Sequence, residues 1–286
     1  MRLLPFTTER AETAAPIAPG DKLRFEGVTK RFEGRNGWTH VVEKFSLAIP
    51  EGEFVCLVGP SGCGKTTLLN IAAGLVKPDG GQVLLDGRPV TGPGPDRTVI
   101  FQEHALFPWM TVKKNVEFGL ELLGKSKVER QVVSKFWLNL TNLSEFEGFY
   151  VHELSGGMKQ RVQLARALAM DPSVLLMDEP FAALDAQTRD FLYEQVQSIF
   201  TATKKTVLFI THNIREAVIL GDRVILMTAR PGAIKANIKI DLPKPRSFDS
   251  VEVLAVTSKL LREIRSEMQK ANEEELHAPR VHGKSR

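Results

Sequence analysis

The stretch GPSGCGKT, Gly59 to Thr66, constrains this chain more than any other. It matches G-x-x-x-x-G-K-[ST] in full, directly after the apolar run EFVCLV and directly before TTLLNIAAGL, which reads as a helix. A glycine-rich turn from a buried strand into a helix makes an anion cradle. Backbone N–H groups point outward, the helix dipole favours negative charge, and missing side chains let a phosphate approach. The loop residues Gly59, Pro60, Ser61, Gly62, Cys63, Gly64, Lys65, Thr66 and Thr67 are therefore the nucleotide-binding candidates. The glycines let the backbone wrap the β- and γ-phosphates, Lys65 reaches those phosphates, and the Thr66 hydroxyl ligates Mg²⁺. A tight turn without a ligand is the plain alternative, and the strand and helix on either side speak against it.

The rest of the chain supplies an α/β frame for that loop. KLRFEGVTKRF and VVEKFSLAI have strand character, and GQVLLDGRPV reads as a hairpin turning at Asp86-Gly87. PSVLLMDEP, KTVLFITH and DRVILM are short continuous apolar runs, as for strands covered on both faces. Helical patterns lie between them, which predicts a mainly parallel sheet. Residues from about 103 to 171 differ: TVKKNVEFGLELLG, KVERQVVSKFWLNLTNL and the helix after LSGG form a helical insertion. That last helix is expected to stop at Asp171-Pro172. Residues 1–20 read as a flexible leader, 21–250 as one domain, 251–272 as an amphipathic helix and 273–286 as a disordered tail. In that helix Val256, Leu260, Ile264 and Met268 follow i, i+4 spacing.

Chemistry gathers at predicted strand ends, where open α/β sheets bind ligands. VLLMDEP carries Asp178 to such an end, placed to hold Mg²⁺, and Glu179 one residue further, placed to take a proton from attacking water. VIFQEH puts Gln102 at another end, as a second metal or water contact, and LFITHN puts His212 at a third, near a γ-phosphate. Singly, each is the polar residue that strand ends often carry; together they compose a phosphoryl-transfer site. A second phosphate cradle, Ser155, Gly156 and Gly157 in LSGGMKQR, opens the insertion's last helix.

With 286 residues the chain is long enough for a sizeable core, and 43% hydrophobic and 25% charged residues are ordinary for a globular protein. The net charge of +4 comes from lysines and arginines spread along the sequence without a basic stripe, so no nucleic-acid partner is expected. The two cysteines, Cys56 and Cys63, have no metal-ligand spacing and imply a reducing, cytosolic compartment. No signal peptide and no apolar run of membrane-spanning length are legible, so any span must come from another chain.

GPSGCGKTT, FQEHALFPW, LSGGMKQR, VLLMDEP, AALDA and ITHN stand in the order seen in the ATP-binding subunits of ABC transporters, which this chain resembles from about Asp21 to Arg246. PGPDRTVIFQEHALFPWMTV and RPGAIKANIKIDLPKPR resemble the nitrate/sulfonate/taurine importer branch. The resemblance implies a P-loop NTPase core with an antiparallel β subdomain and a helical insertion, ATP and Mg²⁺ as ligands, and ATP hydrolysis that energises import of a small solute. It implies two such subunits packed head to tail, a likeness that explains the two cradles. Leu154, Ser155, Gly156, Gly157 and Gln160 would then serve the partner's nucleotide, Asp185 would cross the interface, and Phe32 would stack on adenine. Further partners implied are transmembrane permease subunits and, through them, a solute-binding protein, with this chain at the cytoplasmic face of the inner membrane. Phe107 and Trp109 are either part of a permease-docking groove or helical core. Other readings are a soluble ABC ATPase acting on nucleic acid or ribosomes, and a regulatory module that binds ATP without hydrolysing it; Glu179 and His212 argue against the latter.

Overall fold

The computed structural model describes residues 8–9, 21–34, 37–103, 105–182 and 186–277. Its strands are β1 (Thr8–Glu9), β2 (Asp21–Gly34), β3 (Gly37–Pro50), β4 (Phe54–Val58), β5 (Gly80–Leu85), β6 (Arg88–Pro89), β7 (Arg97–Ile100), β8 (Val174–Asp178), β9 (Thr206–Thr211), β10 (Arg223–Met227) and β11 (Ile234–Lys239). The helices are α1 (Lys65–Ala72), α2 (Val112–Leu122), α3 (Lys127–Leu140), α4 (Gly156–Ala169), α5 (Ala186–Thr203), α6 (Ile214–Leu220) and α7 (Val251–His277).

The main sheet has the order β1-β11-β10-β4-β9-β8-β7. From β10 to β7 neighbouring strands run parallel, and β11 and β1 add antiparallel at one edge. β4 and β9 are buried at every position, because helices or a second sheet cover both faces. Successive side chains alternate between those faces. Phe54, Cys56 and Val58 join the core beneath α2 to α7, whereas Val55 and Leu57 join the core beneath α1 and the antiparallel sheet β3-β2-β5-β6. Phe25 and Phe45 meet edge to face at 5.4 Å in that second core, joining β2 to β3.

The β5–β6 hairpin turns where both Asp86 and Gly87 have positive φ, 48° and 73°, as a two-residue primed turn requires. α2, α3 and α4 lie between β7 and β8. Ser126 and Glu129 cap α3 reciprocally. α4 ends at Ala169, slightly before the expected stop, and Asp171 takes φ 50° before Pro172. The sequence reading passed over β11, whose alternating Ile-Lys-Ala-Asn-Ile-Lys suits an edge strand with one covered face. Within the leader, Thr8 and Glu9 pair with Ile238 and Asn237. On α7, Val253, Val256, Leu260 and Ile264 are buried against the core. The helix continues to His277, while the side chain of Met268 lies outside the described residues.

Arg246 closes the C-terminal side of the core. It is 6% exposed, and its guanidinium donates to the carbonyls of Val218 (2.7 Å), Gly221 (2.5 Å), Ile240 (3.2 Å) and Leu242 (2.8 Å). Its backbone N–H donates to Gln197 Oε1 at 2.6 Å. Arg246→Ala leaves buried carbonyls unpaired, so urea unfolding is expected to show a loss of about 3 kcal/mol or more. A loss within about 0.5 kcal/mol, the range of ordinary surface substitutions, would contradict this role.

Candidate functional site

β4 delivers the chain to Gly59, and α1 starts at Lys65. Gly64 sits at the N-cap with φ 96° and no side chain caps the helix, so its first N–H groups stay open to a ligand. A Cβ at Gly64 would stand 2.7 Å from Val42 Cγ2, so both backbone and space demand glycine there. Lys65 is 7% exposed, and its ammonium donates to Gly59 O at 2.8 Å and Pro60 O at 3.0 Å. The charge is thus held within the loop by two carbonyls and, weakly, by Cys63 Sγ at 3.9 Å, ready to exchange them for phosphate oxygens. Burial pushes the Cys63 thiol up, so it remains a neutral packing residue.

β8 carries Asp178 to its C-terminal end, where the Thr66 hydroxyl donates to Asp178 Oδ1 at 3.2 Å. Burial, the largest influence, raises the Asp178 carboxyl; Glu179 adds to this, and the Thr66 bond and Lys65 oppose it. A partly desolvated carboxylate beside a hydroxyl at a helix start is the donor set of Mg²⁺ held mainly by waters and substrate phosphates. Among the described residues, no group of three or more His, Cys, Asp or Glu is placed to hold a metal ion. The donors present therefore fit the ion.

Glu179 has φ 44°, an uncommon backbone for this residue type, fixed by its N–H donating to Ile210 O on β9 at 3.0 Å. Its carboxylate reaches His212 Nδ1 at 2.8 Å. The pair brings together an acceptor for a proton and an imidazole, from the ends of adjacent strands β8 and β9.

A raised acid in the folded state binds protons more tightly than in the unfolded chain. Stability is therefore lost as pH rises from the ordinary Asp range through the raised value. Asp178→Asn removes this loss and keeps an acceptor for Thr66. The variant is expected to melt at higher temperature than the parent at neutral pH without nucleotide, with Mg²⁺-dependent ATP hydrolysis down at least about 10²-fold. A lowered melting temperature would contradict the stated cause of the shift.

Lys65, Thr66 and Glu179 help line a cleft of about 390 Å³, with Phe32, Val41, Ser61, Gly62, Gly64, Thr67 and Arg230; Asp178 is not part of the lining. That is the size of a small-molecule site. Phe32, part of that lining, is 44% exposed, and Lys30 Nζ stands over one face of its ring, 5.3 Å from the centre. His212 is exposed behind Glu179, and Gln102 is exposed two residues past β7; neither is part of the lining. Asp185 lies outside the described residues.

The second cradle is not at this cleft. Ser155 caps α4 by accepting from Met158 N at 3.3 Å, and Ser155 and Gly156 are exposed. Leu154 and Gln160 are buried at 5% and 1% in the single chain, at and just after the start of α4. Phe107 and Trp109 divide the two readings offered for them. Phe107 is half-buried, 4.6 Å from the Phe118 ring, whereas Trp109 is 69% exposed.

Three features escaped sequence reasoning. Glu216, 5% exposed, accepts from Tyr193 (2.6 Å) and Thr211 (2.5 Å), which locks the turn carrying His212 onto α5. Gln163 on α4 donates to Phe101 O (3.1 Å) and Glu103 O (3.4 Å), tying the segment around Gln102 to the helix that starts with the second cradle. Arg230 lines the cleft from the turn after β10. None carries a local motif, because Tyr193 for Glu216, Phe101 and Glu103 for Gln163, and Gly62 for Arg230 all lie far off in sequence.

Comparison with known proteins places this geometry. The profile of the family described as ABC transporter matches residues 42–182. An uncharacterized ABC transporter ATP-binding protein of Methanocaldococcus jannaschii is 51% identical over 250 residues, covering 87% of this chain and 94% of its own. The nitrate import ATP-binding protein of a Synechocystis species is 47% identical over 77% of this chain and 83% of its own. An aliphatic sulfonates import ATP-binding protein of Bacillus cereus is 44% identical over 84% of this chain and 95% of its own. Among solved structures, a dimeric ATP-binding cassette in a post-hydrolysis state, bound to ADP and Pi, aligns with a TM-score of 0.67 and 32% identity, covering 79% of this chain and all of that one.

Proposed function

Since this chain belongs to the ABC transporter family of ATP-binding proteins, we propose that two copies of it bind and hydrolyse ATP between them to drive import of a small solute of the nitrate or sulfonate kind. It is an ATP-binding subunit and an ATPase of that family. The observation that carries the reading is the separation of the two cradles: one lines the cleft with Thr66, Lys65 and Glu179, and the other is exposed on the insertion and absent from that lining. Ser155 and Gly156 reach a γ-phosphate when they belong to the facing copy.

Within one cleft, Phe32 stacks on adenine and the backbone from Gly59 to Thr67 wraps the phosphates. Lys65 leaves its two carbonyls for the β- and γ-phosphates. Thr66 and Asp178, joined by Gln102 from the segment after β7, hold Mg²⁺, which when bound neutralises charge on the β- and γ-phosphates. Glu179 accepts the proton of the attacking water, and His212, held 2.8 Å away, orients Glu179 and contacts the γ-phosphate. Closure of the dimer on ATP moves the membrane subunits, and hydrolysis resets it.

No helix among the described residues is long and apolar enough to cross a membrane. In this proposal the chain works at the cytoplasmic face through separate permease subunits, with the exposed Trp109 beside their docking point and a solute-binding protein delivering cargo. The test is purification of the tagged chain from native membranes in mild detergent. Membrane-spanning subunits should copurify, and the complex in vesicles should take up nitrate or an alkanesulfonate only with ATP on the cytoplasmic side. Recovery with nucleic acid or ribosomes and no membrane partner would contradict the proposal.

A further inference from the structure

The segment RPGAIKANIKIDLPKPR marks the branch but carries no role in the site as built so far. Its first residues form the turn between β10 and β11, and this turn is wedged against the phosphate loop. Thr228 Oγ1 donates to Pro231 O at 2.9 Å and accepts from Ala233 N at 3.0 Å. Gly232 N donates to Val41 O at 2.9 Å, and Glu43 N donates to Gly232 O at 3.3 Å, so the turn is sewn to β3. A Cβ at Gly232 would collide with the Cys63 carbonyl, which shows how closely the turn meets the loop.

Arg230 projects from this braced turn. Its Nε–H donates to Gly62 O at 3.0 Å, and a Cβ at Gly62 would stand 2.5 Å from Arg230 Nη2. The guanidinium thus lies on the loop, lines the cleft, and makes no ion pair among the described residues. With Nε engaged, the planar fork still has the donors on both Nη atoms to offer. Lys65 and Arg230 are the two cations in the lining, and Lys65 sits one residue from the Thr66–Asp178 pair that marks the metal end. Arg230 enters elsewhere: its turn is bonded to Val41 and Glu43 of β3, and β3 pairs with β2, which carries Phe32. It therefore approaches from the base side of the cleft.

We propose that Arg230 is a further nucleotide-binding residue, whose guanidinium, held on Gly62 O, donates to the phosphates that ATP and ADP share. The proposal rests on the ATP-site reading above and deepens it. A charge-assisted contact of this kind at an exposed rim corresponds to about a tenfold change in affinity.

The test measures equilibrium binding of fluorescent ATP and ADP analogues, at low and high salt, to the full chain and to Arg230→Ala, Arg230→Lys and Lys65→Ala, with melting curves as a fold control. Arg230→Ala should weaken ATP and ADP alike by about tenfold and show a shallower salt dependence than the parent. Arg230→Lys should recover part of the loss, because it keeps the charge without the fork. A bracing role alone would lower the melting temperature of Ala and Lys variants equally and leave the salt dependence unchanged; that result overturns the proposal. So does affinity within twofold of the parent in a folded Arg230→Ala protein, or a loss confined to ATP. If the Ala variant fails to fold, Arg230→Gln, whose amide can still donate to Gly62 O, is read by the same criteria. Undiminished binding by Lys65→Ala would instead overturn the ATP-site reading itself.

Discussion

A Glu179→Gln protein is expected to bind ATP as the parent does and to hydrolyse it about 10²–10⁴-fold more slowly, a barrier increase of roughly 3–5.5 kcal/mol. The geometry sets this expectation. Glu179 is held at φ 44° by its bond to Ile210 O, its side chain is 21% exposed, and it lines the cleft. Glutamine preserves the shape and the contact with His212 but cannot take a proton. The variant should therefore accumulate as an ATP-loaded dimer, visible as earlier elution in size exclusion with unhydrolysed nucleotide retained. Single-turnover phosphate release measures the loss directly. Hydrolysis at the parent rate would remove Glu179 from the role of base and leave His212 as the next candidate.

The backbone at Glu179 also shows where reading the sequence stops. VLLMDEP reveals an apolar strand ending in two acids, and the fold places Asp178 and Glu179 as that pattern implies. Nothing local announces the left-handed turn at Glu179, because its cause is a carbonyl on β9 more than thirty residues away. The same division holds across the molecule. β4, β8, β9 and β10 are legible because strands buried on both faces must be apolar throughout. The β5–β6 hairpin is legible because its turn requires Asp-Gly. β11 is not, since a half-covered edge strand with lysines looks like a loop. Glu216, Gln163, Arg230 and Arg246 are invisible for another reason: each is a polar side chain whose value lies in distant carbonyls and hydroxyls. Patterns report which face is apolar; they do not report which buried polar group finds a partner.

Lys65→Ala is expected to weaken ATP binding by about one to two orders of magnitude and to abolish turnover. The ammonium is 7% exposed and bonded only to the loop carbonyls Gly59 and Pro60 and, weakly, to Cys63 Sγ at 3.9 Å. It is preorganised for a phosphate, and a charge-assisted contact is worth about 1.5–3 kcal/mol. Removing it also takes away one of the cations that would stabilise developing charge on the transferred phosphoryl group. Titration calorimetry with ATP checks the first part and a phosphate-release assay the second. Parent-like affinity would overturn the assignment of this loop as the ATP site.

The proposed function requires each ATP to be held by the loop of one copy and by the exposed cradle of the other. It is tested most directly by mixing two inactive proteins. Gly156→Asp places a carboxylate where the partner's γ-phosphate would sit and leaves its own loop intact; Lys65→Ala spoils the loop and leaves Ser155 and Gly156 intact. In a mixed dimer one cleft carries both lesions and the other carries neither. The measurement is ATP hydrolysis across mixing ratios, with mixed dimers verified by differential tags and a linked parent/Lys65→Ala dimer as the standard for one working cleft. The trans arrangement predicts activity that is absent from either protein alone, peaks near equal amounts and, per mixed dimer, approaches that standard. No activity at any ratio, with mixed dimers present and the linked standard active, would contradict it and place the second cradle's role within its own chain.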